Sequence, residues 1–182
     1  MTLVLRPATD DDVREFAAWQ YETPYDVYNI AMSLDDAVAY FVDPAVRCYS
    51  LIDGSEVVGY CTFGGDAQVP GGNYDGDGLD IGLGIKPART GSGEGHRYVS
   101  VVVDHAAATF GPRQLRVTIA VGNVRALRVW SRAGFAEISR FVTSRILMGS
   151  NEFAILAFEA PATGATRSSA EVLETAGSQD LT

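Results

Sequence analysis

The sequence has few of the residues on which metal and disulfide sites depend. Only two cysteines and two histidines occur among its 182 residues. His96 and His105 form no cluster with either cysteine, and zinc sites in proteins draw on such clusters, so no metal is expected. Cys48 and Cys61 flank a predicted hairpin, and thiols in a cytoplasmic chain are more often buried than joined in a disulfide.

Basic charge and long apolar runs are also scarce. The formal net charge of -9 argues against a nucleic-acid partner, because phosphate binding requires a basic surface. No window comes near the roughly 18 uninterrupted apolar residues of a membrane span. The amino terminus lacks the basic-then-apolar pattern of a secretory signal, so we expect a cytoplasmic protein without a membrane partner. Acidity is compatible with a cationic acceptor such as an amine, although most acidic proteins are simply soluble.

The chain does contain regular signals for helices and strands. Its 47% hydrophobic and 20% charged residues are typical of a globular domain. The predicted strands are residues 3–5, 46–52, 56–63, 79–85, 115–121, 137–148 and 152–158. The predicted helices are residues 10–20, 94–110, 123–133 and a segment that begins at 33 and ends before Pro44. This order predicts one α+β domain over residues 1–160 with a largely antiparallel sheet. Residues 161–182 are small and polar, which predicts a flexible tail.

A glycine-rich turn, Thr90-Gly91-Ser92-Gly93-Glu94-Gly95, lies between a predicted strand and a predicted helix. Glycines let the backbone approach a ligand and adopt positive φ, so that successive N–H groups converge on phosphate oxygens. The helix that follows adds its unpaired N–H groups and the positive end of its dipole. Many turns of this composition are only structural, so the turn alone does not decide its role.

Two familiar phosphate-binding motifs do not fit this turn. A P-loop requires Gly-Lys-Ser/Thr at its end, whereas His96 follows Gly95 here. A dinucleotide-binding fold requires the glycines on its first βα unit. In this chain they follow the fourth predicted strand, after a hairpin.

Two segments together resemble the GNAT (Gcn5-related N-acetyltransferase) superfamily. Residues 85–95 are similar to its motif A, in which a strand ends in an apolar-x-Pro step before an R-G-x-G-x-G-like turn. Residues 123–135 look like its N-x-x-A-x-x-x-Y-x-x-x-G-F motif. The quoted segments are Ile85-Lys86-Pro87-Ala88-Arg89-Thr90-Gly91-Ser92-Gly93-Glu94-Gly95 and Asn123-Val124-Arg125-Ala126-Leu127-Arg128-Val129-Trp130-Ser131-Arg132-Ala133-Gly134-Phe135. The opening segment, Leu5-Arg6-Pro7-Ala8-Thr9, also matches the family's usual first strand.

The resemblance implies a GNAT fold and acetyl-CoA as co-substrate. The expected sheet is mixed, mostly antiparallel, of about six or seven strands flanked by about four helices, and splayed between strands 4 and 5. Pantetheine would lie in that gap like an added strand, and the glycine-rich turn would hold the pyrophosphate. The implied cofactor-binding residues are Leu83, Gly84, Ile85, Arg89, Thr90, Gly91, Ser92, Gly93, Glu94, Gly95, His96 and Asn123. Asn123 has the alternative role of a plain helix N-cap.

At its catalytic positions the sequence departs from the family pattern. The usual tyrosine, which protonates the leaving thiolate, is replaced by Trp130, whose indole has no useful acid chemistry. Trp130 is alternatively a packing residue, and the adjacent Ser131 carries a hydroxyl. Thr118 occupies a position where some relatives carry a glutamate base. Asp80 corresponds to a catalytic or water-holding carboxylate of other members, or is an exposed charge at the start of a strand.

Glu94 is a further departure, because it places a carboxylate in an anion-binding turn. We expect its side chain to point away, toward Arg97.

The resemblance also indicates an acceptor region. Aromatic residues between the first two helices would form one wall of the acceptor groove, or pack in the core: Trp19, Tyr21, Tyr25 and Tyr28. The implied activity is transfer of acetyl from acetyl-CoA to a primary amine, on a small molecule or a protein, by direct attack in a ternary complex. The alternative is a non-catalytic acyl-CoA-binding or sensing module. The chain would act as a monomer or a homodimer.

Overall fold

The two short helices at the start of the chain each begin at a hydroxyl cap. In the computed structural model, which describes residues 3–111 and 113–159, Thr9 forms a capping box with Asp12. Ser33 caps the second helix through the backbone N–H of Asp36. Each first turn also carries acidic side chains, which complement the positive end of the helix dipole.

The remaining elements follow the alternation of apolar segments and turns. The strands are β1 (Leu3–Pro7), β2 (Tyr49–Asp53), β3 (Glu56–Phe63), β4 (Leu79–Ile85), β5 (Gln114–Ala120), β6 (Ala136–Leu147) and β7 (Ser150–Glu159). The helices are α1 (Asp10–Ala17), α2 (Leu34–Phe41), α3 (Gly95–Phe110) and α4 (Val124–Arg132). Short 3-10 turns occupy Tyr25–Tyr28, Gly65–Ala67 and Pro87–Arg89.

All seven strands form one sheet in the order β1-β2-β3-β4-β5-β7-β6. Neighbouring strands are antiparallel except β4 and β5, which are parallel. The predicted α+β fold, with a mixed and mostly antiparallel sheet and four flanking helices, is therefore confirmed within the described residues.

The helices cover opposite faces of the sheet. Val13 and Phe16 of α1 and Phe41 of α2 pack on the side of β2 and β3 that carries Tyr60. Val99, Val102, Val103 and Ala106 of α3 form the larger core on the other face, with Ile81 and Leu115. Residues of β4 and β5 belong to this larger core, so α3 covers the central strand pair on that face.

The contact between β4 and β5 ends almost as soon as it begins. Only Leu79 pairs with Leu115, and Asp80 with Arg116, before the strands separate. Strand β5 instead pairs along its whole length with β7. The predicted splay between strands 4 and 5 is confirmed, and it opens a gap toward the carboxyl ends of both strands.

A buried ion pair closes the narrow end of this gap. The guanidinium of Arg116 donates to both carboxylate oxygens of Asp80 at 2.9 Å, and the two side chains are almost fully buried. Arg116 also donates to the carbonyls of Tyr74, Asp75 and Gly78, so it holds the long loop that precedes β4 against the sheet.

Two sequence expectations differ from the structure. Strand β2 begins at Tyr49 rather than at residue 46, because the N–H of Val46 closes a turn on Asp43 and Arg47 has positive φ. Helix α1 ends at Ala17, three residues before the predicted end. The predicted tail, residues 161–182, lies outside the described residues. Residues 1, 2 and 160 of the predicted domain lie outside them as well.

Breaking the Asp80–Arg116 pair should strongly destabilise the fold. Asp80→Asn leaves a buried guanidinium without its countercharge, which typically costs about 3–5 kcal/mol. Urea unfolding followed by circular dichroism measures the change. Glu137→Gln makes the same chemical change in the exposed Glu137–Arg140 pair and should have little effect. Equal effects of the two substitutions would contradict the role assigned to the buried pair.

Candidate active site

The edge of β4 that faces the gap presents unpaired backbone groups. The N–H of Gly64 donates to the carbonyl of Asp80, and the N–H of Lys86 donates to the carbonyl of Val58. In an antiparallel pair, every second residue of a strand hydrogen-bonds to the same neighbouring strand. The even-numbered residues from Asp80 to Lys86 therefore direct their backbone N–H groups toward β3. Leu83 and Ile85 therefore turn their N–H groups into the gap, where β5 no longer provides a partner.

Gly84 differs from the expectation that it offers backbone groups to a ligand. It faces Tyr60 in the ladder with β3, so its N–H and C=O are directed away from the gap. A Cβ at this position would collide with the ring of Tyr60. Gly82 is similar, since a Cβ there would lie 2.6 Å from Oγ1 of Thr62. The two glycines instead leave room for the side chains of Tyr60 and Thr62 of β3, on the side of α1 and α2.

The predicted turn has the backbone geometry of an anion site. Gly91 and Gly93 have φ of +79° and +84°, and a Cβ at either would meet nothing within 4 Å. These glycines are therefore needed for conformation and not for space. Thr90 and Ser92 fold their hydroxyls back onto the carbonyls of Pro87 and Arg89, at 2.8 and 2.9 Å. The side chain of the N-cap residue, Glu94, forms no capping hydrogen bond, so the first N–H groups of α3 remain open to a ligand.

The charged side chains around the turn are paired with each other. Arg89 and Lys86 both bind Glu56, and their hydrogen bonds lower the pKa of that carboxyl. Glu94 points away from the turn, as predicted, with its carboxylate on Arg97 at 2.5 Å and on the hydroxyl of Tyr98 at 3.1 Å. The turn therefore offers an anion backbone N–H groups more than free cations.

The connection between α1 and α2 crosses the open end of the gap. The hydroxyl of Tyr21 donates to the carbonyl of Ile85 at 2.9 Å, which attaches the connection to the end of β4. On the other side, Asn123 donates its amide to the hydroxyl of Tyr28 at 3.1 Å. Asn123 also accepts from the N–H of Ala126 and so caps α4. Its predicted contact with the cofactor stays a prediction.

A cavity of about 460 Å³ lies beneath this connection. Its lining residues come from the connection, from the segment before the turn and from α4: Gln20, Tyr21, Glu22, Thr23, Tyr25, Pro87, Ala88, Thr90 and Arg125. It joins the end of the β4 edge to the turn. Two predicted acceptor residues, Tyr21 and Tyr25, line it, whereas Trp19 is buried beside Phe16 and belongs to the core.

The predicted catalytic residues do not come together. Trp130 is 4% exposed and packs edge-on against Phe135, as expected for a core residue. Ser131 points outward and is exposed. Asp80 is buried, so its interpretation as an exposed charge is wrong, and both of its oxygens are already bonded to Arg116, with Gln68 as a further donor at 2.7 Å. This geometry supports a structural role for Asp80.

Sequence reasoning missed a hydroxyl pair on the face of β5 toward α1 and α2. The hydroxyl of Tyr74 lies 3.0 Å from Oγ1 of Thr118 and accepts from the N–H of Val69 at 2.8 Å. Tyr74 belongs to the long loop whose carbonyls Arg116 holds. No local pattern marks Tyr74, because its partner lies more than forty residues later in the chain.

Comparison with known proteins identifies the family. A model of the acetyltransferase (GNAT) domain matches residues 2–136, which is most of the chain. The chain belongs to this GNAT family. The predicted family and its class of enzyme, an acyltransferase, are confirmed. None of the curated proteins matches the GNAT chain significantly in sequence.

Solved GNAT structures share its fold. Spermidine N-acetyltransferase from Vibrio cholerae, in complex with CoA and spermine, superimposes with a TM-score of 0.69 at 16% identity, over 87% of this chain and 95% of that one. The aminoglycoside acetyltransferase AAC(6')-Ib, in complex with ribostamycin and coenzyme A, gives a TM-score of 0.72 at 18% identity, over 93% and 100%. Identities this low establish a common fold.

Membrane-spanning helices and metal-binding clusters are both absent from residues 3–111 and 113–159 of the GNAT chain. None of the helices there has both the length and the apolar character to cross a membrane. The same residues contain no group of three or more His, Cys, Asp or Glu side chains that is able to hold a metal ion.

The conformation of Gly93 should matter for binding and not for stability alone. Gly93→Ala places a Cβ at positive φ, which costs about 1–2 kcal/mol unless the turn relaxes. If the turn relaxes, its N–H groups no longer point at the same anion. Affinity for coenzyme A, measured by calorimetry, should therefore fall about 5- to 30-fold. Gly76→Ala is the matched control, since Gly76 has φ of +85° and equally open surroundings in the loop before β4. An equal affinity of the two variants would contradict the prediction.

Proposed function

We propose that this protein is an N-acetyltransferase that moves acetyl from acetyl-CoA to a primary amine on a small molecule. The observation that carries the proposal is the edge of β4 along the gap, which β5 leaves unpaired and which leads through the Pro87–Arg89 turn to the glycine-rich turn. An extended ligand with two amides can bind such an edge as an added strand. A diphosphate at the end of that ligand then reaches the open N–H groups at the start of α3.

Leu83 is the residue best placed to assist the reaction through its backbone. Its N–H faces the gap without a strand partner, and oxyanion-type stabilisation requires a fixed donor aimed at the carbonyl oxygen. The amine nitrogen attacks the thioester carbon, the carbon–sulfur bond breaks, and coenzyme A leaves as its thiolate. The proton lost by the amine passes to water.

Direct attack is favoured because neither thiol suits a covalent intermediate. Cys48 and Cys61 are both buried, and burial raises the pKa of Cys48 to about 12 and that of Cys61 well above its usual value. Only the thiolate is an effective nucleophile. We therefore infer a ternary complex in which positioning provides much of the rate.

The acceptor approaches from the side of α1 and α2 in this proposal. On that face Gly82 and Gly84 add no side chain of their own, and the Tyr74–Thr118 hydroxyl pair offers polar partners above β5. Two GNAT structures of the same fold were solved with spermine and with ribostamycin, which are small molecules that carry amines. These support a small-molecule acceptor over a protein.

The rival function is a non-catalytic acyl-CoA-binding module. It is favoured by the burial of Trp130 and by the closed pairing of Asp80, which leave the usual acid and base positions without a free group. Thiol release from acetyl-CoA, followed across a panel of primary amines, separates the two functions. Turnover above the hydrolysis background supports the enzyme, whereas binding without turnover on any amine supports the module.

The backbone N–H of Leu83 provides a sharper test. Leu83→Pro removes that N–H, and loss of an oxyanion donor typically lowers kcat about 100- to 1,000-fold. Leu83→Val is the matched control, because it shortens the same side chain and keeps the N–H. Steady-state kinetics on both variants, with melting temperatures to confirm folding, make the comparison. Equal kcat values would refute the role of Leu83.

A further inference from the structure

Arg125 differs from the other cations around the turn. Lys86, Arg89 and Arg97 each form an ion pair with a carboxylate. Arg125, on the first turn of α4, has no carboxylate partner among the described residues, although it is partly buried. A cation in this state is available for an anion from outside the chain.

The side chain of Arg125 is nevertheless held in place. Its guanidinium carbon lies 4.0 Å from the centre of the Tyr25 ring, close enough for a strong cation–π contact. Stacking uses the face of the guanidinium and leaves the N–H donors around its edge free. Arg125 lines the 460 Å³ cavity that also contains Thr90 and Ala88, so these donors and the start of the turn share one space.

Helix α4 is packed closely against the N-terminus of α3. A Cβ on Gly95 would come within 2.9 Å of Cγ2 of Val129, so the two helices touch at this point. Arg125 lies one helical turn before Val129. Any anion bound to the open N–H groups of α3 is therefore close to α4, the helix that carries Arg125.

We propose that Arg125 is the cationic half of the coenzyme A phosphate site, and binds the diphosphate from the side opposite the N–H groups of the turn. This inference rests on the proposed function, since it assigns a residue to the same cofactor. A planar guanidinium can bind two phosphate oxygens at once, which a backbone turn complements from the other side. Glu22, which also lines the cavity, is exposed and free to turn toward water.

The assignment also connects the cofactor with the acceptor wall. Tyr25 belongs to the α1–α2 connection, which Tyr21 attaches to β4 and Tyr28 attaches to Asn123. A diphosphate bound to Arg125 therefore fixes the guanidinium that stacks on this connection. The cofactor and one wall of the acceptor groove would therefore share the Arg125 side chain.

Calorimetric titration with coenzyme A tests the proposal directly. Arg125→Ala should weaken binding about 10- to 100-fold, as for loss of hydrogen bonds to a charged group. Arg128→Ala is the matched control, since Arg128 lies on the same helix, is exposed and has no ion-pair partner in the described part of the chain. Equal affinities of the two variants would overturn the assignment.

Shortened ligands identify the anion. Dephospho-coenzyme A keeps the diphosphate and should show the same loss on Arg125→Ala, whereas pantetheine lacks phosphate and should bind both proteins equally. A loss confined to full coenzyme A would assign Arg125 to the 3'-phosphate and refute the diphosphate contact. If Arg125→Ala instead changed only the KM of the acceptor, the anion would be a group on the acceptor, and the proposal would also fail. If the wild-type protein bound no coenzyme A, the proposed function itself would be refuted.

Discussion

The structure depends on the point at which β4 and β5 stop pairing. Two residue pairs join these strands, and the buried Asp80–Arg116 ion pair lies at the second of them. Beyond it, β5 pairs with β7 and β4 pairs with β3. The backbone groups that face away from the gap are therefore hydrogen-bonded in both strands. The edges of both strands that face the gap keep their backbone donors and acceptors in extended geometry.

The same ion pair positions the loop before β4. Besides Asp80, the guanidinium of Arg116 donates to the carbonyls of Tyr74 and Gly78, at the two ends of this segment, and to that of Asp75. That segment places the Tyr74 hydroxyl on Thr118. The buried guanidinium of Arg116 thus closes the narrow end of the gap and also positions the hydroxyl of Tyr74. Asp80 is therefore better understood as a structural residue than as a base.

At the other end of the gap, most charged side chains form ion pairs with each other. Glu56 and Glu94 neutralise the nearby basic side chains, so a chain with a net charge of -9 does not attract anions to this region by its overall field. Recognition of a diphosphate then depends on short-range geometry, namely the N–H groups of the turn and the stacked guanidinium of Arg125. The α1–α2 connection contributes by bridging β4 and α4 across the opening.

The sequence alone determined much of this protein. Glycine at positions 91 and 93 is demanded by positive φ, hydroxyl and acidic residues mark the helix starts, and the spacing of two motifs was enough to predict the family and the splayed sheet. These are local signals, carried by residues that are close together in the chain. Tertiary structure decided the rest: that Asp80 faces Arg116 instead of solvent, that Gly84 turns its amide toward β3, and that Tyr25 meets Arg125. Each of these contacts joins residues far apart in sequence, and only the packing of the completed sheet brings them within hydrogen-bond or stacking distance.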